Sequence, residues 1–226
     1  MKHFSILLFS IFLVLTASFM GMILASLNQI GSLAQSTETL ELNDAGEAVQ
    51  VEGDPLFPQR LSGLAQQGAN EYINLGCVQC HSQQIRREAI SADIERGLAQ
   101  RVTVPRDYIM QKKTALGTLR LGPDLIDVGS RRTDSNWHLV HLYNPQITSP
   151  GSLMPAFPFL FEKVHVSDLD PPADALVFPD GNPYAPEANY AVVPSRRALA
   201  IVEYLLNLQL NYSLPEAALT QNDRGE

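Results

Sequence analysis

Two thiols and an imidazole stand at Cys77, Cys80 and His81, in the order Cys77-Val78-Gln79-Cys80-His81. This is C-x-x-C-H, the attachment pattern of a c-type haem. The spacing follows from the chemistry. Two cysteines one helical turn apart reach the two vinyl groups of one porphyrin and form thioethers, and the adjacent histidine lies under the iron. These are the only cysteines in the chain, so no disulfide scaffold competes for them. A thiol–disulfide redox pair shares the C-x-x-C spacing, but it usually follows a strand in a βαβ unit and leaves His81 unexplained. A structural zinc site lacks a second ligand pair.

A sixth iron ligand separates electron transfer from catalysis, because His/Met ligation fills both axial positions and raises the haem potential. Met154, in Ser152-Leu153-Met154-Pro155-Ala156-Phe157, sits in a proline-bounded loop and is the candidate. Met110 is the runner-up, and Met20 and Met22 lie in an apolar N-terminal run. His138 and His141 share a helical face in WHLVH and could bind a metal, although satisfied histidines at a surface or interface are the commoner outcome. His165 reads as solvated. An axial histidine usually donates its second ring N–H to a carbonyl; the carbonyl of Pro123, in Gly122-Pro123-Asp124-Leu125, is the candidate acceptor. Ten of the 16 basic residues fall between Arg86 and Arg132. Most read as a solvated face, and Arg120 is the candidate for a haem propionate.

These residues need elements to position them. The 226-residue chain suits one domain plus an anchor. From Phe4 to Leu27 no charge interrupts the apolar run, and 24 residues of helix, about 36 Å, cross a hydrocarbon core of about 30 Å. That length favours an uncleaved transmembrane helix over a signal peptide, although Ser32–Ala34 is an acceptable cleavage site. Lys2 predicts a cytoplasmic N-terminus, so the rest lies on the periplasmic side of the cell membrane. The expected organisation is a stub and anchor over 1–30, an acidic linker over 31–59, a haem domain over 60–210 and a tail over 211–226. Within the domain, a helix runs into the cysteines, a short one covers Arg106 to Lys113, and Asp134 caps a helix that ends before Pro145. A Pro-rich excursion spans 165–194. An amphipathic helix from Ser195 to Leu208 follows. No alternating strand pattern is evident, so the fold class is mostly α.

The net charge of -8 disfavours nucleic acid as a partner. The remaining motifs point further. GCVQCHSQQIRRE (76–88), DIERG (93–97), RDYI (106–109), LGTLRLGPDLIDVGSRR (116–132), WHLVHLYNP (137–145) and GSLMPAFPFLF (151–161) together resemble the monohaem subunit (subunit II) of the cbb-type cytochrome c oxidases. The resemblance implies a class I cytochrome c fold on one transmembrane helix, one covalent haem c, and His81/Met154 ligation. It also implies partners: a catalytic haem–copper oxidase subunit and a further cytochrome c subunit. Oxygen would be reduced in the partner and not in this chain. Two other functions share parts of this pattern. A free-standing anchored cytochrome c would shuttle electrons without a permanent partner. A haem sensor or peroxidase-like enzyme would need an open sixth position.

Overall fold

The structure is a computed structural model that describes residues 2–37, 40–42, 48–50, 52–166 and 171–219. Glu38, Asp44 and Glu47 of the expected acidic linker, and the end of the tail from residue 220, lie outside the described residues. The chain divides into two compact units, Met1–Gln35 and Ser36–Glu226.

The first unit is helical throughout. Helix α1 (Lys2–Ser18), a π-helical stretch (Phe19–Leu24) and α2 (Ala25–Ile30) follow one another without interruption. The span His3–Ile30 has the length and apolar composition to cross a membrane. Its phenylalanines and leucines point outward on every side, which suits lipid rather than a protein core. Ser10 and Ser26 donate their hydroxyls to the carbonyls of Ile6 and Met22, so neither leaves a polar group unpaired. Gly31, at φ 67, ends the helix in a conformation that costs a side-chain-bearing residue strain.

The second unit is built on two crossing helices, α3 (Gly63–Asn74) and α8 (Arg196–Leu206). Gly68, a poor helix former, marks their crossing. A Cβ there would overlap the carbonyl of Ala200 and lie 2.7 Å from Tyr204 Cβ. The glycine lets two backbones touch, and that contact outweighs its propensity cost of about 1 kcal/mol. Ser195 caps α8 by accepting a hydrogen bond from Ala198 N at 3.3 Å. Ala198, Ile201, Val202, Tyr204 and Leu205 then enter the core with Tyr72, Leu139, Val140, Leu142 and Leu160.

The helix expected to run into the cysteines stops at Asn74, and a separate turn, α4 (Cys77–Cys80), follows Gly76 at φ 79. The expected Arg106–Lys113 helix is one 3-10 turn, Pro105–Tyr108. Beyond α5 (Val128–Arg131), α6 (Ser135–Tyr143) begins as expected, with Asp134 accepting from Asn136 N at 2.9 Å. Pro145 does more than close α6: it opens α7 (Pro145–Thr148), which Asn144 caps.

Strands are short. β1 (Ser36–Thr37) pairs with β4 (Leu56–Phe57), and β2 (Leu40–Leu42) with β3 (Ala48–Gln50), both antiparallel. β5 (Phe161–His165) and β6 (Tyr190–Pro194) pair antiparallel across the Pro-rich excursion, with Phe161 opposite Pro194 and His165 opposite Tyr190. The excursion also returns to the core through buried Leu176, whose N–H donates to Val192. Both flanks of the stretch expected as a haem domain, 60–210, join its packing. Phe57 stacks on Tyr212 with centroids 4.4 Å apart, and Leu210, Tyr212 and Leu214 complete a second core with Ile85, Leu98, Ala99 and Ile126.

Candidate haem-iron site

The C-x-x-C-H segment occupies α4 and the extended residue after it. His81 N donates to Cys77 O at 2.9 Å, which closes the turn and projects both thiols from one short element. Residues 116–125 wrap this segment through backbone hydrogen bonds: Thr118 to Val78, Leu119 to Gln79, Gly122 to Cys80, Gln83 to Leu116 and Leu125 to Ser82. Two stretches far apart in sequence are thereby fixed side by side.

Nδ1 of His81 lies 2.8 Å from the carbonyl oxygen of Pro123. A carbonyl only accepts, so Nδ1 carries the proton and Nε2 keeps the lone pair that binds a metal. Burial pushes the His81 pKa below its ordinary value, which keeps the ring neutral. Gly122 packs directly beneath the ring. A Cβ at Gly122 would overlap Cε1 and lie 2.7 Å from Nδ1. Burial also pushes the Cys77 thiol up to about 11. A thiol–disulfide redox cysteine has the opposite perturbation, a depressed pKa.

Met154 lies in the loop after α7 and packs, half-buried, against the core that Cys77, Val78 and Leu125 also border. The loop is braced from both ends. Gln146 accepts from Gly151 N at 2.9 Å and donates to the carbonyl of Ser152, and Ser152 Oγ accepts from Met154 N at 3.2 Å. Phe157 N donates to Leu142 O, which ties the loop to α6. Met110 lies elsewhere, on a cavity of about 280 Å³ that it shares with Phe57, Leu208 and Tyr212.

The histidine pair on α6 is engaged within the fold. His138 is buried rather than at a surface, and its Nε2 donates to Arg132 O at 2.8 Å. His141 shares a hydrogen bond with Thr148 Oγ1 and stacks on Trp137 at 4.8 Å. Burial first, and then the cost of adding a further positive charge beside His81 and His138, holds His141 down at about 4. His165 packs edge-on against Tyr190. Among the described residues, no group of three or more His, Cys, Asp or Glu side chains is arranged to hold a bare metal ion.

Arg120 is bonded to protein through all three nitrogens. Nε donates to Ser82 Oγ, Nη1 and Nη2 to Asp93 at 2.7 and 2.9 Å, and Nη2 also to Gln84 O and Asp124. Much of the central basic stretch is similarly committed. Arg101 is buried in an ion pair with Asp107, Arg106 pairs with Glu216, Arg131 reaches Asp124 O, and Arg132 lies over the Trp137 ring. The partners of Arg120 were not singled out in the sequence. Asp124, inside G-P-D-L, Ser82, next to His81, and Asp93, which opens DIERG, carried a positional signal; Gln146 of the methionine loop carried none.

Two thiols on one turn and a neutral imidazole with its Nδ1 proton engaged fit haem c, and Met154 borders the same core from a braced loop. The glycine beneath the imidazole fits a ring held in one plane. Comparison with curated proteins finds no match to this chain. Residues 16–198 match the family described as cytochrome c oxidase, mono-heme subunit/FixO. The chain therefore belongs to the FixO family, the monohaem electron-transfer subunits of cbb3-type cytochrome c oxidases.

Proposed function

We propose that this chain holds its haem through thioethers at Cys77 and Cys80, with His81 and Met154 as the axial ligands. It passes electrons toward the catalytic haem–copper subunit of the oxidase. A further cytochrome c subunit completes the complex, and the domain after Gly31 lies on the periplasmic side, because Lys2 favours a cytoplasmic N-terminus. The organisation follows suit: an anchor over 1–30, then a haem domain whose packing includes Ser36, Phe57 and Tyr212.

The observation that carries this reading is the His81–Pro123 hydrogen bond inside a C-x-x-C-H turn. When bound, the haem supplies a one-electron iron couple. The chain's residues do the rest. Pro123 fixes the imidazole tautomer, Gly122 admits the ring, and Gln146 braces the methionine loop through Gly151 and Ser152. A fixed ligand pair needs little rearrangement when the iron changes charge, which suits electron transfer. Arg120 was expected at a propionate. Its bonds to Asp93, Asp124, Ser82 and Gln84 support a bracing role instead.

The test is spectroscopic. Met154→Ala in the full-length chain should abolish the low-spin His/Met spectrum and lower the potential, while covalent haem is retained. Cys77→Ala with Cys80→Ala should abolish covalent haem. An unchanged spectrum in Met154→Ala would remove Met154 from the ligand set and reopen a sensor or peroxidase-like role.

A further inference from the structure

We infer that the cluster Arg120–Asp93–Asp124–Ser82 is a positioning device for the His81–Pro123 hydrogen bond, and so sets how readily the iron site accepts an electron. This rests on the haem reading above and extends it to residues that touch neither haem nor iron.

The bond has a donor residue, His81, and an acceptor residue, Pro123. Their immediate neighbours are bonded to each other: Ser82 Oγ donates to Asp124 Oδ2 at 2.6 Å. The same Oδ2 accepts from Gln84 N at 2.7 Å, and Oδ1 accepts from Ile126 N at 2.9 Å. Asp124 O accepts from Arg131 Nη2 at 2.7 Å. The residue after the acceptor carbonyl is therefore fixed at both side chain and backbone. Proline itself offers no N–H and one narrow φ, so Pro123 is placed by what surrounds it.

Arg120 locks the arrangement. Its Nε donates to the very hydroxyl that bridges to Asp124, at 2.8 Å. Its Nη atoms grip Asp93, which also accepts from Arg86 N at 3.0 Å. Three segments meet at one guanidinium: the ligand loop, the G-P-D-L loop and the loop closed by Asp93. Both carboxylates are buried, at 1% exposure each. Buried carboxylates are costly unless paired and hydrogen-bonded, and a loop that needed only tethering could use neutral groups.

The consequence for the site is directional. A strong bond from Nδ1–H makes the imidazole a better electron donor to the metal, which favours the oxidised state. Loosening the cluster weakens that bond and favours the reduced state. Removing the Arg120 charge does the reverse, because two carboxylates are left less compensated. Positioning and charge can therefore be separated by substitutions that keep the charge.

Ser82→Ala removes the bridging hydroxyl and alters no charge. Arg120→Lys keeps the charge and loses the fork. Both would be made in the full-length haem-loaded chain in detergent, with redox titration and the g-values of the ferric low-spin signal as readouts. The inference expects the reduced-to-oxidised ratio at fixed ambient potential to rise roughly two- to tenfold, the range of one neutral hydrogen bond, with shifted g-values and Met ligation retained. Should Arg120→Lys not accumulate, Ser82→Ala decides alone. Native ratio and g-values in Ser82→Ala, with a fall only in Arg120→Gln, would reduce the cluster to a local charge and overturn the inference. An unmutated chain without covalent haem would instead overturn the haem reading beneath it, a result visible before any substitution.

Discussion

His81 and Pro123, 42 residues apart, are joined by a hydrogen bond of 2.8 Å from the imidazole Nδ1–H to the proline carbonyl. The preceding residue, Gly122, lies against the face of that imidazole. One short turn thus orients the ring and leaves no space for a side chain beneath it. Gly122→Ala should therefore act on the ligand and not on the helices. Overpacking of this kind typically costs about 1–3 kcal/mol. The expected outcome is chain with reduced haem occupancy or a disturbed ferric spectrum but a native helical signal. Haem content per chain, measured with circular dichroism on the same sample, checks this.

The methionine loop has its own brace. Gln146 uses both ends of its amide, accepting from Gly151 N and donating to Ser152 O. Gln146→Ala removes both bonds at a cost of about 1–2 kcal/mol. The loss should be local. The absorption band of Met-ligated ferric haem is expected to disappear at lower denaturant than the helical signal, whereas the two run closer together in the native chain. Coincident transitions with an unshifted midpoint would count against the brace.

Acid should find Asp93. Burial alone would raise its pKa, but hydrogen bonds from Arg120, Ser91 and Arg86 N, together with the Arg120 charge, hold it at about 2. In the unfolded chain an aspartate titrates near 4. The folded value is the lower one, so the stabilisation is fully present above about pH 4 and is lost as pH falls toward 2, on the order of 2 kcal/mol in all. Asp93→Asn should be less stable at neutral pH and show a shallower loss between pH 4 and 2. Denaturant midpoints across that range provide the measurement.

Gly68→Ala tests the helix crossing. In an isolated helix the change would stabilise by about 1 kcal/mol. Here the added methyl meets the Ala200 carbonyl, so the sign should reverse, with a net loss of about 1–3 kcal/mol or more and a lower melting temperature. An unchanged or raised melting temperature would mean that α3 and α8 do not approach this closely.

Much of this site was legible in the sequence, and the reason is chemical. The C-x-x-C-H pattern places Cys77, Cys80 and His81 at neighbouring positions, as covalent haem attachment would require, and G-P-D-L offers a carbonyl on a rigid residue, so these signals are local. Helices α6 and α8 were equally readable, because Asp134 and Ser195 cap them and their apolar residues recur at helical spacing. What was not legible depends on distant partners. Gly68 looks like a helix breaker until Ala200 lies against it. Arg120 reads as a candidate for a haem propionate until Asp93 and Asp124 surround it. β5 and β6 escaped notice because Phe161–His165 alternates weakly and its partner lies beyond a Pro-rich excursion. Phe57 and Tyr212 sat in stretches that read as linker and tail, and only their stacking draws both ends into the fold.

The proposed function makes this chain a permanent subunit of an oxidase that carries covalent haem. Its most direct test is a native gel of membranes extracted in mild detergent, with one lane stained for covalent haem and a parallel lane for oxygen-reducing activity. The haem of this chain should migrate in a large band that also reduces oxygen, and the band's haem stain should diminish when Cys77 and Cys80 are replaced. Haem migrating alone near the 24.9 kDa of the single chain would contradict it and favour an anchored shuttle instead.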